Sequence, residues 1–287
     1  MSDRTDKLTA LVLAGGGSFG AVQVGMLRAV VAHGLVPDLV IGSSVGAING
    51  AYFAGAPNAH GVAQLEAIWG GMRRSTVFPL AWRGFLGLLG DHRFAVDPSG
   101  LRRILEQCLP YQTFEQASIP LHVVATDLLG GGAVRLSSGP VVDAVLASCA
   151  IPAIFPPVRI GEQYLMDGAI ASNTPISVAI ELGARRVIVL PTGFACALEA
   201  PPRSTIASAL HAVTLLIAHQ LVMELERYRE QAEIITVPPL CPLTASPYDF
   251  SHAGELIERA ADQTVHWLAR GGFARQRVPG ALHAHAH

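Results

Sequence analysis

Apolar positions along the chain alternate between short continuous runs and longer stretches with helical spacing. The short runs predict strands at 8–14, 38–42, 121–126, 158–165 and 186–191. Helical spacing predicts helices over 18–33, 45–55, 61–71, 141–148, 175–182, 206–230 and 253–270. Strands that alternate with helices are typical of a parallel sheet covered on both faces. We therefore predict an α/β fold, a three-layer α/β/α sandwich with a mostly parallel central sheet.

A glycine-rich loop follows the first predicted strand and leads directly into a helix. It contains Gly15, Gly16, Gly17 and Gly20. Uncovered backbone N–H groups at a helix N-terminus can surround a negative charge. That charge is either a dinucleotide pyrophosphate, because the spacing satisfies Gly-x-Gly-x-x-Gly, or the oxyanion of an acyl-transfer intermediate.

A serine stands between two glycines after the second predicted strand. Ser44 lies between Gly42 and Gly46, which is the usual setting of a nucleophilic serine on a strand-to-helix turn. The alternative is an ordinary helix start capped by Ser43 or Ser44. A dinucleotide site requires an acidic residue at the end of this strand, but Asp38 precedes the apolar run Leu39-Val40-Ile41 instead of ending it, which argues against nucleotide binding.

An Asp-Gly pair, Asp167-Gly168, follows a short predicted strand and precedes Ala169. Taken alone, this pair is typical of a turn. Because the glycine loop and Ser44 are also present, a functional role for this pair is favoured over an ordinary turn.

Together these blocks resemble the patatin-like phospholipases, serine acyl hydrolases that use a Ser-Asp dyad. The matching blocks are the glycine loop 15–20, the serine turn 42–46, the proline-rich segment 147–157, and Asp167-Gly168-Ala169 with Asn173 and Pro175 behind it. The resemblance implies that Ser44 is the nucleophile, that Asp167 is its general base, and that the amides of Gly15, Gly16 and Gly17 form the oxyanion hole. Gly20, Gly42, Gly46, Gly168 and Ala169 would support these residues.

The resemblance also implies a lipid substrate: a phospholipid, a lysophospholipid or a simpler ester, with no cofactor and no metal. Phe19 departs from the family pattern, which usually has Arg or Lys before the last glycine of the loop. We expect activity to survive this change, whereas the anchoring of the loop or of an anionic head group is put in doubt. Ala169 replaces a frequent second glycine, which matters only if that position requires a positive φ.

Other residues offer competing chemistry. A Ser-Asp-His triad has four candidate histidines, of which His252 is the best; Ser251 beside it is expected to cap the last helix. The other three are His211, His219 and His266. Asp127 is expected to orient loops at a strand end, and Cys149 to be a small core residue.

Composition limits the class of protein. The 287 residues are 51% hydrophobic and only 15% charged, and the net charge of −2 gives no basic surface for nucleic acid. The apolar surplus predicts a hydrophobic groove, a membrane-facing patch or a subunit interface, so peripheral membrane contact and a homo-oligomer are both considered. A polar N-terminus, interrupted apolar runs and scattered cysteines predict a cytoplasmic protein, at most peripheral at a membrane.

We expect one domain over 1–287, with a core at about 8–195, a C-terminal helical part at about 203–272 and a disordered tail at about 275–287. The aromatic segment 77–94 is either a lid over an acyl-chain entrance or packed on the core. The favoured function is a serine lipid acyl hydrolase. The alternatives are a catalytically silent lipid-binding or regulatory protein on the same fold, and a nucleotide-binding module.

Overall fold

The computed structural model describes residues 7–77, 97–152, 154–193, 205–241, 243, 247 and 249–274. Within these ranges the strands are β1 (Thr9–Leu13), β2 (Leu39–Ser43), β3 (Leu121–Asp127), β4 (Ala133–Leu136), β5 (Val158–Ile160), β6 (Gln163–Met166), β7 (Arg186–Leu190) and β8 (Glu233–Thr236). The α-helices are α1 (Gly20–Ala32), α2 (Val45–Gly55), α3 (Ala59–Gly71), α4 (Arg74–Val77), α5 (Ser99–Cys108), α6 (Val141–Ser148), α7 (Ala169–Ser172), α8 (Ile176–Glu181), α9 (Thr205–Tyr228) and α10 (Ala253–Ala269).

The strands form one sheet in the order β5-β6-β3-β2-β1-β7-β8, and β4 also pairs with β3. The pairs from β3 through β2, β1 and β7 to β8 are parallel, whereas the β3–β4, β3–β6 and β5–β6 pairs are antiparallel. Leu13 lies opposite Gly42, and Ser43 lies opposite Val124. The loops that follow β1, β2 and β3 therefore leave the sheet side by side at its carboxyl edge.

Helices cover both faces of the sheet because side chains alternate along each strand. On β1, Leu11 and Leu13 enter a core with residues of α1, α2, α3 and α10. Ala10 and Val12 point to the other face, where they join a core with residues of α8 and α9. The predicted three-layer α/β fold with a mostly parallel sheet is thus confirmed.

One predicted strand is wrong in its extent. The run 158–165 is not a single strand but the antiparallel hairpin of β5 and β6, which turns at Gly161 with φ 59°. The sequence pattern also gave no expectation of β4, β8 or α5. Half of the positions in β4 are exposed, and both β4 and β8 are only four residues long, so their apolar periodicity is weak.

Several expectations fall outside the described residues. Apart from Val77 at the end of α4, the segment 77–94 lies there, as does the whole of the predicted tail at 275–287. The division of the chain into a core and a C-terminal helical part stays a prediction. No helix in the described part of the chain combines the length and apolar character that crossing a bilayer requires.

Candidate active site

Ser44 occupies a strained turn between β2 and α2. Its φ of 52° and ψ of −127° make it the one non-glycine residue with positive φ in the described part of the chain. Such a backbone costs on the order of 1–3 kcal/mol and persists only where its surroundings enforce it. A Cβ on Gly42 would contact the carbonyl of Gly46, and a Cβ on Gly46 would contact the carbonyl of Leu13. The two glycines therefore allow α2 to pass close to β1 and β2.

The side chain of Ser44 does not cap α2, which removes the alternative of an ordinary helix start at this serine. Instead its Oγ donates a hydrogen bond to Oδ2 of Asp167 over 2.7 Å. Oδ1 of Asp167 accepts the N–H of Ala169 over 2.8 Å. Both carboxylate oxygens of Asp167 therefore accept hydrogen bonds, and Oδ2 lies within reach of the hydroxyl proton of Ser44.

The backbone around Asp167 is fixed on both sides. Its N–H donates to the carbonyl of Ala150 over 3.0 Å, and its carbonyl accepts the hydroxyl of Thr126 over 2.8 Å. A Cβ on Gly168 would contact the carbonyl of Val124, so glycine is required for this turn to approach β3. Ala169 begins α7 without a positive φ, which is consistent with its expected conservative role.

Burial changes the acidity of Asp167, which is only 3% exposed. Desolvation disfavours the carboxylate and raises the pKa of Asp167 from 3.8 to about 6, while hydrogen bonds from the N–H of Ala169 and the hydroxyl of Ser44 act to lower it. A base whose pKa lies just below neutral pH is mostly ionised there and still binds a proton readily.

The glycine loop lies beside the serine. A Cβ on Gly15 would lie 3.0 Å from Cβ of Ser44. The N–H of Gly15, however, donates to the carbonyl of Asn173 over 3.1 Å, and its carbonyl accepts the hydroxyl of Thr192 over 2.7 Å. Gly15 therefore has no free donor, which corrects the expectation that all three glycine amides are available. Gly16 and Gly17 retain backbone N–H groups without a partner among the described residues.

A buried polar network anchors the loop in the absence of a basic residue at position 19. Nε2 of Gln23 donates to the carbonyls of Ala14 and Leu190, each over 2.8 Å. Asn49 donates to the carbonyl of Gly20 over 3.0 Å and to Gln23 over 2.9 Å. Nε1 of Trp69 donates to Asn49 over 2.8 Å. The network joins the ends of β1 and β7 to the start of α1, and no sequence motif identified it.

Phe19 is 1% exposed and belongs to the larger apolar core. Its ring is thus a second anchor of the loop. Gly20 is required close by, because a Cβ there would lie 2.7 Å from Cζ2 of Trp69. The loop is held here by the packing of Phe19 and by the hydrogen bonds of Gln23, Asn49 and Trp69, whereas the effect of the missing charge on an anionic head group stays a prediction.

Among the competing candidates, His252 and His266 have their contacts away from Ser44. The side chain of His252 is half exposed and lies 3.7 Å from Asp249 and 3.6 Å from Glu255. Ser251 does not cap α10: its hydroxyl bonds Asp249, and His252 occupies the N-cap position without a capping bond. His266 contacts the carbonyl of Asp262 on its own helix.

Asp127, Cys149 and Asp38 have contacts or burial typical of structural residues. Oδ1 of Asp127 accepts the N–H of Leu129 within its own turn. Cys149 is buried, and this burial raises the pKa of its thiol, with the charge of Asp167 adding to the effect. Asp38 accepts the N–H of Thr9 at the amino end of β1, at the edge opposite to the glycine loop. Over the described ranges, no cluster of His, Cys, Asp and Glu side chains could hold a metal ion.

A similar fold is found among solved protein structures. A structure of human GIVD cytosolic phospholipase A2, solved in complex with a methyl γ-linolenyl fluorophosphonate inhibitor and terbium chloride, aligns with a TM-score of 0.50. The alignment covers 94% of this chain and 60% of the human chain, with 12% sequence identity. At this identity the similarity concerns the fold alone.

Sequence relatives match a shorter region. Patatin-like phospholipase domain-containing protein 7 of Rattus norvegicus is 28% identical over 191 residues, which cover 66% of this chain and 14% of the rat protein. Patatin-like phospholipase domain-containing protein 6 of Homo sapiens has the same identity over the same length, with the same coverage of the two chains. An uncharacterized NTE family protein of Mycobacterium bovis is 31% identical over 173 residues, which cover 58% of this chain and 44% of that protein. The chain thus corresponds to a minor part of each of these relatives.

A family model described as patatin-like phospholipase matches residues 11–180. The match spans more than half of the chain and includes the glycine loop, Ser44 and Asp167. The chain belongs to the patatin-like phospholipase family.

Proposed function

We propose that this protein is a serine lipid acyl hydrolase that cleaves carboxylic esters through an acyl-enzyme on Ser44. The observation that carries the proposal is the 2.7 Å hydrogen bond from Oγ of Ser44 to Oδ2 of Asp167. This distance is within the range required for general base catalysis without an intervening imidazole. The strained backbone of Ser44 is a second support, because strain of this kind is concentrated at functional sites.

In the acylation step, Asp167 takes the hydroxyl proton of Ser44 while Oγ attacks the carbonyl carbon of the ester. The C=O electron pair moves to oxygen and forms an oxyanion, for which the free N–H groups of Gly16 and Gly17 are the candidate donors. The intermediate then collapses, the bond to the alcohol breaks, and the leaving alcohol takes the proton from Asp167. The products of this step are a free alcohol and the acyl ester of Ser44.

Deacylation repeats the same proton transfers with water. Asp167 accepts a proton from water while the water oxygen attacks the acyl carbonyl carbon. The bond between this carbon and Oγ of Ser44 then breaks. The proton returns to Oγ, which regenerates the serine and releases a carboxylic acid. The raised pKa of Asp167, at about 6, suits a group that must alternately take and return a proton near neutral pH.

Apolar side chains exposed near the site support a lipid substrate and peripheral contact with a lipid surface. Leu128 and Leu129 follow β3 at the carboxyl edge of the sheet and are 42% and 84% exposed. Ile170, three residues after Asp167, is 37% exposed. Exposed apolar groups at one edge are typical of surfaces that meet a membrane or a hydrophobic ligand.

The test combines covalent labelling with turnover. A fluorophosphonate probe, of the inhibitor class bound by the human phospholipase with this fold, should label the wild-type protein at Ser44, as measured by peptide mass spectrometry. Hydrolysis of p-nitrophenyl butyrate and of phosphatidylcholine vesicles should collapse in Ser44→Ala and Asp167→Asn. His252→Ala is the control and should keep the wild-type rate.

A folded wild-type protein that neither labels nor hydrolyses any of these esters contradicts the proposal. Vesicle binding without turnover would then favour the catalytically silent alternative. Turnover that survives Asp167→Asn but is lost in His252→Ala would replace the dyad with a histidine-dependent mechanism.

A further inference from the structure

Asn173 lies beside the nucleophile, in the short segment between α7 and α8. Its backbone carbonyl holds the N–H of Gly15 over 3.1 Å. A Cβ on Gly15 would lie 2.5 Å from Oδ1 of Asn173 and 3.0 Å from Cβ of Ser44. Oδ1 of Asn173 and Cβ of Ser44 therefore lie close to each other on the same side of Gly15.

The side-chain amide of Asn173 is unsatisfied. The residue is only 4% exposed, and its Oδ1 is sealed from solvent without a hydrogen-bond partner among the described residues. Its Nδ2 likewise has no partner in the described part of the chain, but it is not among the sealed atoms. The oxygen is thus turned inward against Gly15, and the N–H groups are on the accessible side.

An unpaired buried polar group costs roughly 1–3 kcal/mol, and native structures contain few of them. A leucine of similar shape would fill this position without that cost. The unpaired Nδ2 donor near the strained serine is explained if an acceptor that arrives with the substrate pairs with it.

We propose that Asn173 is a further catalytic residue of this site, and that its Nδ2 donates a hydrogen bond to the oxyanion of the tetrahedral intermediate. This inference rests on the proposed hydrolase function. The backbone carbonyl of Asn173 accepts the N–H of Gly15, which a three-glycine oxyanion hole would have used, and the side chain of Asn173 carries an unpaired donor close to the same glycine. Gly16, Gly17 and Asn173 would then form the oxyanion hole.

The decisive variant is Asn173→Leu, which keeps the branched shape and removes the donor without adding a charge. Removal of one oxyanion donor lowers kcat by roughly 10²–10³-fold. We expect this loss in kcat for p-nitrophenyl butyrate with KM within about threefold of wild type, because the contact forms in the transition state. The rate of fluorophosphonate labelling should fall with kcat.

The melting temperature separates catalysis from packing. Because Asn173→Leu removes an unsatisfied polar group, the variant should melt at or above the wild-type temperature while it loses activity. If the role of Asn173 were purely structural, the variant would melt at a lower temperature and would lose activity only because it unfolds. Asn173→Ala is the second variant in case leucine does not fit, and it should show the same fall in kcat.

Thr174→Val is the matched control. Thr174 is also buried with an unpartnered hydroxyl, and valine keeps its shape, so kcat should be unchanged. The inference is overturned if folded Asn173→Leu or Asn173→Ala keeps kcat within threefold of wild type, or if Thr174→Val loses as much. A wild-type protein that neither labels nor hydrolyses overturns the proposed function and this inference together. An active wild type with active Asn173 variants overturns this inference alone.

Discussion

The backbone N–H of Ser44 donates a hydrogen bond to Oγ of Ser148 over 2.8 Å. The hydroxyl of Ser148 in turn donates to the carbonyl of Val124 over 2.6 Å, and its backbone carbonyl accepts the N–H of Gly168 over 3.1 Å. Ser148 is completely buried at the end of α6. One residue therefore ties the strained serine turn, strand β3 and the turn that carries Asp167.

Ser148→Ala should loosen this arrangement. It leaves the N–H of Ser44 and the carbonyl of Val124 unpaired in the interior, so we expect a loss of about 1–3 kcal/mol in unfolding free energy. The value of kcat should fall as well, because the position of Ser44 is held less firmly. Urea unfolding and ester hydrolysis measure the two effects.

Ser172→Ala is the control for Ser148→Ala, since the hydroxyl of Ser172 is buried but has no hydrogen-bond partner among the described residues. It should be neutral or stabilising. Equal behaviour of the two variants would show that the contacts of Ser148 are not what holds the turn.

The pH dependence of kcat/KM should report the ionisation of Asp167 in the free enzyme. Burial raises the pKa of Asp167 to about 6, and only the carboxylate can take the proton of Ser44. Activity should therefore fall as the pH drops through about 6, approaching a tenfold loss per pH unit below it. His252→Ala should be measured in parallel and should leave this decline in place.

Asp167→Asn should abolish hydrolysis but stabilise the fold at pH 7. The pKa of Asp167 is higher in the folded protein, about 6, than the ordinary 3.8, so the folded state binds more protons between these values and stability decreases as the pH rises through them. At pH 7 the buried charge costs up to about 3 kcal/mol, at 1.36 kcal/mol per pKa unit.

An asparagine at position 167 can accept the N–H of Ala169 and contact Ser44 without that charge. The gain in melting temperature should be largest above pH 6, should become small near pH 4, and should disappear below about pH 3, where the wild-type carboxyl is protonated in both states. A lower melting temperature for Asp167→Asn at pH 7 would show that burial of the carboxylate is not costly here.

The proximity of Ser44 and Asp167 could be predicted from the sequence, because both residues stand in short motifs whose glycines permit close backbone contacts. The sequence did not predict that the N–H of Gly15 is already hydrogen-bonded, to the carbonyl of Asn173. That contact joins segments far apart in the chain, and no local pattern encodes it. For the same reason the bonds between Gln23 and Asn49 could not be predicted: each residue, taken alone, is an ordinary polar position in a helix.

Phe19→Arg would introduce the basic residue usual in the family, but we expect it to damage this protein. Phe19 is 1% exposed within the apolar core, so an arginine there would place a charge in that core or would have to displace the loop. A loss of several kcal/mol in stability is expected. Phe19→Leu is the conservative control and should cost about 1 kcal/mol. A folded, fully active Phe19→Arg would show that the loop adapts to a charge.

Gly46→Ala tests whether close packing behind the serine turn is required for activity. A Cβ at this position would overlap the carbonyl of Leu13 at the end of β1, which is backbone and cannot move independently of the glycine loop that follows it. We expect both lower stability and a large loss of kcat, because the displacement separates Ser44 from the amides of Gly16 and Gly17. Gly70→Ala is the matched control: it lies in α3 with open space around it, and alanine there should raise stability by roughly 0.5–1 kcal/mol without a change in kcat. If Gly46→Ala keeps wild-type kcat, close approach of α2 to β1 is not needed to align the nucleophile with its oxyanion donors.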